Sequence, residues 1–197
     1  MSELHSYKRP TSKQPIPDHA KLVFKGTVYS VYQWDQEMYD GSTKVFEKVA
    51  RADSATVIPV LPNGKIVLAR QEQPGIVPFV GSLGGRLDPG ETPLQCASRE
   101  LMEEAGMQAG EIREWYAVQP NGMIEWSDFG FIALNAKVVA SPTLDSGERI
   151  ELLELSFEEF LEAAVLDNFR DKEVKLRVFA ALQNPQKKEE LKKLFFS

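Results

Sequence analysis

The amino-acid sequence predicts a layered α+β fold, in which sheets and helices pack around a common core. Runs rich in β-branched and aromatic residues are separated by turn sequences, and three further segments have the pattern of amphipathic helices. The segments follow the order strands, helix, strands, helices, which is typical of layered packing. A length of 197 residues and a hydrophobic content of 43% suit one domain that needs no disulfides.

The N-terminal quarter is predicted to be an arm followed by a β-sheet. Residues 1–20 are polar and contain Pro10, Pro15 and Pro17, which predicts an extended or poorly ordered arm. Residues 21–50 are rich in β-branched and aromatic residues, and "YDGS" at 39–42 predicts a hairpin turn between two strands.

The remaining strands are predicted from the same kind of pattern. "PNG" at 62–64 predicts a second hairpin turn, between the apolar runs of "SATVIPVLPNGKIVLARQEQ". Further strands are expected near residues 112–119, 129–138 and 149–155.

Three helices are predicted by periodicity and by their ends. The first covers residues 92–105, where Gly106 supplies a stop. Ser156 and Glu159 fit a capping box that begins the second, which runs to about Leu166. The third covers roughly 172–183 and ends before a proline.

The C-terminal tail, residues 185–197, is expected to add one or two amphipathic turns. Its apolar side chains are Leu191, Leu194, Phe195 and Phe196. Because the segment is short, docking on this subunit or on a partner subunit is favoured over membrane attachment.

Composition excludes several classes of protein. The formal net charge of −6 argues against a nucleic-acid binder, which usually presents a basic face. Cys96 is the single cysteine, so no intrachain disulfide can form and a reducing compartment is favoured. No run reaches the length of a membrane span, and the N-terminus lacks an apolar signal core. We therefore expect a cytoplasmic protein that binds neither nucleic acid nor membrane.

An acidic cluster on the first predicted helix is the main candidate site. Glu100, Glu103 and Glu104 share one helix face, and like charges at this spacing destabilise a helix by about 0.2–0.5 kcal/mol per pair. The opposite face carries Leu94, Ala97, Leu101 and Ala105 toward the core. A hard cation such as Mg²⁺, which prefers carboxylate and carbonyl oxygens, would compensate the negative charge. The glycine-rich segment before the helix is predicted to be a loop in which Gly84 and Gly85 let a carbonyl turn toward a metal.

The segment resembles the Nudix box in every fixed position. The matching residues are Gly85, Glu91, Arg99, Glu100, Leu101, Glu103, Glu104, Gly106 and Met107. A solvated helix end is the usual explanation of a glutamate cluster, but it does not place glycines and an arginine in the same register.

The resemblance implies a Nudix α/β/α sandwich with a mixed sheet over residues 51–184. It also implies metal-dependent attack of water on a nucleoside diphosphate linked to another moiety. Mg²⁺ is the expected cofactor, with Mn²⁺ as an alternative. By position, Glu100, Glu104 and the carbonyl of Gly84 correspond to metal ligands, and Glu103 binds metal directly or through water. Arg99 would orient a glutamate, and Glu91 would support the site or act as an outer ligand.

Sequence before the first helix resembles the branch of ADP-ribose and nucleoside-diphosphate-sugar pyrophosphatases. The similar segments are "DGSTKVFEKVARADSATVIPVL", "KIVLARQEQPG" and "VGSLGGRLDPGE". The resemblance implies a homodimer formed through the N-terminal sheet, and a glutamate from a loop after the box that acts as base or metal ligand. Glu148 is the preferred residue, with Glu151 and Asp145 as alternatives, and an ordinary acidic surface loop remains open.

Substrate-binding residues are implied less directly. Gln73 stands where the branch often has arginine, so Arg70 is considered as its substitute. Arg51 is placed by the resemblance to contact base or phosphate, although an ordinary surface role fits equally. Pro120 follows the box earlier than the marker proline of ADP-ribose enzymes, which favours the wider class of nucleotide sugars. Trp34, Tyr39 and Trp126 could stack a base, but core or dimer contacts are the commoner roles of such aromatics.

The sequence predicts hydrolysis of ADP-ribose or another nucleoside diphosphate sugar to a nucleoside monophosphate and a sugar phosphate. Two alternatives stay open. One is removal of nucleoside triphosphates or cleavage of dinucleotides. The other is a non-catalytic domain that senses a nucleotide sugar.

Overall fold

Three sheets and four helices make up residues 7–196, the part of the chain that this computed structural model describes. The strands are β1 Lys21–Lys25, β2 Ser30–Glu37, β3 Thr43–Ala50, β4 Ser54–Val60, β5 Ile66–Glu72, β6 Phe79–Gly81, β7 Leu83–Arg86, β8 Met107–Gln108, β9 Glu111–Val118, β10 Ile124–Glu125, β11 Asp128–Leu134, β12 Lys137–Val138 and β13 Arg149–Leu155. The helices are α1 Pro93–Ala105, α2 Phe157–Ala164, α3 Lys172–Leu182 and α4 Pro185–Phe196.

The N-terminal sheet has the strand order β1-β2-β3-β10. Strands β2 and β3 form the predicted hairpin, and Gly41 in its turn has a φ of 80°, a conformation that glycine adopts without strain. The two-residue strand β10 pairs in parallel with the end of β3. This pairing joins the N-terminal sheet to the segment before β11.

The central sheet has the order β13-β5-β4-β11-β9, with β6 beside β5 and β7 beside β4. Strands β4 and β11 are parallel, whereas the other pairs are antiparallel. The predicted mixed sheet is therefore confirmed. The prediction that Gly84 and Gly85 lie in a loop was wrong, because both belong to β7 and pair with β4.

Alternating side chains divide the core into two layers. Val57, Val67 and Phe131 face the layer that contains α1. Their sequence neighbours Ile58 and Leu68 face the layer that contains α2, α3 and α4. Since successive strand residues point to opposite faces, the sheet is covered by helices on both sides. This is the predicted α/β/α arrangement.

The three predicted helices begin and end close to the expected residues. Thr92 caps α1 and Gly106, in the left-handed conformation with a φ of 62°, ends it. The capping box of Ser156 and Glu159 is present at α2. Both signals are local, which explains why the sequence predicted them well.

The tail forms a longer helix than the expected turn or two. Helix α4 has 12 residues, and Leu191 and Phe195 are buried in the main core. The Phe195 ring lies 5.1 Å from that of Phe160 and 5.9 Å from that of Trp115. The tail thus docks on its own subunit. Among residues 7–196, no helix combines the length and the apolar composition needed to cross a bilayer.

Residues 7–20 of the N-terminal arm form neither helix nor strand, while residues 1–6 lie outside the described part of the chain. The arm is fixed by charge. Arg9 pairs with Asp53 and with Glu125, each at 2.8 Å.

Candidate functional site

The acidic cluster lies where β7 meets α1. Gly85 leaves room for the Glu100 carboxylate, since a Cβ at this position would lie 2.2 Å from Glu100 Oε1. Gly84 has a φ of 144°, and a Cβ there would lie 2.3 Å from the Ala55 carbonyl oxygen. The Glu100 carboxylate thus requires glycine at position 85, and the neighbouring strand β4 requires glycine at position 84.

Arg99 connects the glutamates of the cluster. Its Nε donates to Glu91 Oε1 at 3.0 Å, and its Nη1 donates to Glu100 Oε1 at 2.8 Å and to Glu103 Oε2 at 2.9 Å. The guanidinium lowers the pKa of Glu91, and the carboxylates raise the pKa of Arg99. Arg99 therefore stays charged and holds three carboxylates in position.

Glu104 is the most deeply buried carboxylate of the cluster. It accepts a hydrogen bond from the backbone N–H of Gly84 at 2.8 Å. Burial, reinforced by the charges of Glu100, Glu148 and Asp171, raises the pKa of Glu104 to about 8. Burial also raises the pKa of Glu100, against the opposing effect of Arg99. Deprotonation of both carboxyls would thus create negative charge that the described residues compensate only in part.

Glu148 approaches the cluster from the segment between β12 and β13. Gln73 Nε2 donates to Glu148 Oε1 at 3.3 Å. The charge of Glu148 acts on both Glu100 and Glu104, so the three carboxylates share one electrostatic site. The structure brings together the box and the loop glutamate that the sequence selected. The two alternative residues for the loop carboxylate lie in different places. Asp145 lines the same region as Glu148, whereas Glu151 pairs with Arg70 on the exposed face of β13.

A cleft of about 1320 Å³ contains the cluster. Its lining includes residues of β4, β7 and α1, the segments 119–127 and 141–148, and the beginning of α3. Cationic side chains also reach the cleft, namely Arg51, Arg86, Arg170 and Lys172. Cations beside carboxylates are what an anionic ligand that binds together with a metal would need.

The predicted substrate-binding residues divide into two groups. Arg51 and Gln73 line the cleft, and the Arg51 guanidinium lies 4.9 Å from the ring centre of Trp126. Arg70 is exposed, pairs with Glu151 at 3.2 Å and is not part of the lining. Trp34 is buried and Tyr39 is exposed at the hairpin turn, so Trp126 is the one aromatic of the three at the cleft.

Sequence reasoning missed the acidic wall formed by Asp128 and Asp171. Asp128 accepts from Ser54 Oγ at 2.8 Å and from the Tyr116 hydroxyl at 3.3 Å, and burial raises its pKa to about 6. Asp171 accepts from the backbone N–H of Ser82 at 2.6 Å. The available signal was an aspartate at the start of the apolar run "DFGFIAL", but nothing in the sequence places it near the box.

The donor set fits a hard divalent cation. Glu100, Glu104 and Glu148 supply carboxylate oxygens, which Mg²⁺ and Mn²⁺ bind well. A bound cation would also favour the charged forms of Glu100 and Glu104, which burial disfavours. In their present orientations, no three acidic, histidine or cysteine side chains of residues 7–196 converge on a metal position.

Known proteins resemble this chain in sequence and in fold. The model of the NUDIX domain family matches residues 50–180, which is more than half of the chain. Over 143 residues the chain is 29% identical to an ADP-ribose pyrophosphatase of Bacillus subtilis, covering 71% of this chain and 77% of that protein. It is 28% identical over 144 residues to a methanol dehydrogenase activator of Bacillus methanolicus, with coverage of 71% and 77%.

A solved structure has the same fold. The crystal structure of an ADP compounds hydrolase superposes with a TM-score of 0.69, covering 88% of this chain and 95% of that chain at 17% sequence identity. At this identity the similarity concerns the fold. Together with the match of the family model and the complete box from Gly85 to Met107, it shows that the chain belongs to the Nudix family and is a hydrolase of its pyrophosphatase type.

Proposed function

We propose that this Nudix protein hydrolyses the diphosphate bond of ADP-ribose or another nucleoside diphosphate sugar in a metal-dependent reaction. The products would be a nucleoside monophosphate and a sugar phosphate. The observation that carries the proposal is the arrangement of Glu100, Glu104 and Glu148 in one cleft with cationic side chains. The activities of similar proteins, an ADP-ribose pyrophosphatase and an ADP compounds hydrolase, support the choice of substrate class.

Mg²⁺ is the proposed cofactor, with Mn²⁺ as an alternative. Glu100, Glu104, Glu148 and the carbonyl of Gly84 would hold it, and Glu103 would join directly or through water. A bound divalent cation neutralises a diphosphate and lowers the pKa of a coordinated water. The chain itself prepares the site, because Arg99 keeps Glu100 and Glu103 oriented and the Gly84 N–H fixes Glu104.

Glu148 is the proposed base. Its carboxylate is held by Gln73 and lies close enough to the cluster to affect the pKa of Glu104. A carboxylate in that position can take a proton from water within the cleft.

The proposed place for a nucleobase is the part of the cleft lined by Arg51 and Trp126. The Arg51 guanidinium lies over the Trp126 ring and can stack on an aromatic ligand.

The test is a hydrolysis panel of nucleotide sugars, triphosphates and dinucleotides with metal titration, in which products are identified by mass. We expect sugar phosphates from nucleotide sugars and no turnover without a divalent cation. Pyrophosphate from triphosphates as the main product would replace the proposed substrate class. Tight binding without turnover would favour a sensing role.

A matched pair of variants tests the acidic cluster. Glu104→Gln is expected to lower kcat by roughly two orders of magnitude, as removal of a transition-state stabiliser commonly does. The control is Glu162→Gln, at an exposed residue of α2, which should retain wild-type activity. Equal rates for the Glu104 variant and the wild type would remove that residue from the mechanism.

A homodimer formed through the N-terminal sheet is also proposed. The apolar side chains of Leu22, Phe24 and Val45 are exposed on β1 and β3. The same sheet includes β10, which lies in the cleft segment 119–127. These exposed apolar side chains offer surface that a second subunit could cover.

A further inference from the structure

The N-terminal arm makes an unusual set of polar contacts with one side of the cleft. Arg9 binds Asp53 through Nε and Nη2 and reaches Glu125 Oε1 through Nη1 at 2.8 Å. Ser12 Oγ donates to Glu125 Oε2 at 2.7 Å. Farther along the arm, the backbone N–H of Lys13 donates to Gln119 Oε1 at 2.9 Å. Arm residues thus contact both ends of the segment 119–127.

Lys48 completes this cluster from the core side. Its side chain is 1% exposed, and its ammonium donates to Glu125 Oε2 at 2.8 Å, to Ser12 Oγ at 3.1 Å and to the Gln14 carbonyl oxygen. These partners hold the pKa of Glu125 at about 2, despite its partial burial. A buried ammonium with three acceptors requires all of them, because an unpaired buried charge is costly. The arm and Glu125 therefore depend on one another.

The same anchors determine where the cleft wall lies. The Glu125 carbonyl accepts from the backbone N–H of Arg51 at 3.2 Å, and Asp53 Oδ1 accepts from the backbone N–H of Ser127 at 2.8 Å. Between Glu125 and Ser127 stands Trp126, whose Nε1 donates to Ser54 Oγ at 2.9 Å. Glu125 and Asp53, the two carboxylates that bind Arg9, thus fix the backbone on both sides of this tryptophan.

We propose that the N-terminal arm positions the substrate-binding wall of the cleft. Arg9, Ser12 and Lys48 hold Glu125 and Asp53, and these residues set the place of Trp126 and Arg51 relative to the acidic cluster. They are positioning residues, since none of the three lines the cleft. The inference rests on the proposed function for the identity of the ligand, and it predicts an effect on substrate binding with little effect on the chemical step.

Steady-state kinetics with the best substrate of the panel tests the proposal. Arg9→Gln removes the ion pairs but leaves the buried Lys48 paired. We expect KM to rise roughly two- to fivefold, the range that partly exposed ion pairs contribute, with kcat within about a factor of two. Arg9→Lys, which can keep one ion pair, should recover part of the change. Lys48→Met should raise KM further.

A matched control and a second readout separate this proposal from the proposed function. Lys8→Gln removes the same charge from an exposed neighbour whose side chain has no hydrogen bond or ion pair with residues 7–196, and it should behave as wild type.

Hydrogen exchange of the backbone amides is the second readout, and it needs no substrate. In Arg9→Gln the amides of 119–127 should exchange faster, while those of α1 should not change.

The outcomes differ clearly. If the wild type cleaves no nucleotide sugar but exchange in 119–127 responds to Arg9→Gln, the substrate assignment fails and the positioning role stands. Unchanged exchange and unchanged KM in Arg9→Gln would overturn the positioning role, whichever substrate is cleaved. A fall in kcat at constant KM would overturn it as well, because the arm would then act on the chemical step.

Discussion

At the scale of single residues, adjacent glycines in β7 serve different physical purposes. Gly85 has no Cβ and so leaves room for the end of a side chain, Glu100 Oε1. Gly84 leaves room in the same way for the backbone of β4. A side chain can move when it is crowded, but a paired strand cannot move without disturbing the sheet. The two positions should therefore respond differently to the same substitution.

Gly84→Ala is expected to destabilise the protein by at least about 2 kcal/mol, since it combines backbone strain at positive φ with a clash. Gly85→Ala should cost much less stability but displace Glu100 and lower kcat. Urea unfolding and steady-state kinetics of both variants measure the contrast. Equal losses of stability would show that the Glu100 side chain cannot yield.

Asp128 should make stability depend on pH. Its pKa in the folded protein is about 6, above the ordinary value of 3.8, because burial disfavours the charged form. The folded state thus binds more protons than the unfolded state between these values. The contribution of Asp128 to the free energy of unfolding is therefore complete below about pH 4 and is lost as the pH rises through 6.

Asp128→Asn should remove this dependence while its single amide oxygen keeps an acceptor for one of the two donors, Ser54 or Tyr116. The free energy of unfolding of the wild type relative to the variant should fall by the order of 2 kcal/mol between pH 4 and pH 7. Urea unfolding of both proteins at several pH values without divalent cations checks the prediction. Parallel curves would show that Asp128 titrates normally.

At the scale of elements, α1 gains a well-defined beginning from Thr92. The Thr92 side chain accepts from the Gln95 backbone N–H, and Gln95 Oε1 accepts in return from the Thr92 backbone N–H at 2.9 Å. These bonds satisfy backbone donors that the first turn leaves free. The helix that carries the acidic cluster is thereby fixed at its N-terminal end.

Thr92→Ala should lower stability by about 1 kcal/mol, the usual cost of losing an N-cap. Thr92→Ser keeps the hydroxyl and should stay close to wild type. Thermal unfolding of the three proteins measures the difference. A loss of similar size for both variants would assign the effect to the methyl group instead of the cap.

At the scale of the whole molecule, the N-terminal sheet combines two surfaces with different partners. Lys48 and Glu125 tie it to the arm and the cleft, whereas Leu22 and Phe24 of β1 are exposed. The structure thus connects the proposed dimer surface with the substrate-binding wall. Dimerisation and cleft geometry would be coupled through β3 and β10, which pair directly.

Phe24→Asp is expected to convert the proposed homodimer to a monomer, because a charge at an apolar interface is desolvated without compensation. Leu176→Asp is the matched control, since Leu176 is equally apolar and exposed but lies on α3. Sedimentation at several concentrations measures both. If the Leu176 variant became a monomer while the Phe24 variant remained a dimer, the interface would lie on α3.

Sequence by itself determined the parts of this protein that depend on local chemistry. Thr92 to Gly106 specifies a capped helix, the Asp-Gly pair specifies a hairpin, and the spacing of Glu100, Glu103 and Glu104 specifies one acidic face. Hydrogen bonds within a few residues decide each of these, so they can be read without the fold.

Tertiary structure decided what distant segments do together. It placed Gly84 and Gly85 in a strand, because pairing with β4 supplies hydrogen bonds that outweigh the low strand propensity of glycine. It joined Asp128 and Asp171 to the cleft, turned Arg70 away from it, and made α4 long by burying Phe195. The arm contacts Glu125 across 116 positions of sequence, and no local pattern encodes a contact of that range. Such contacts arise only in the folded chain, where the buried ammonium of Lys48 requires Glu125 and the arm as partners.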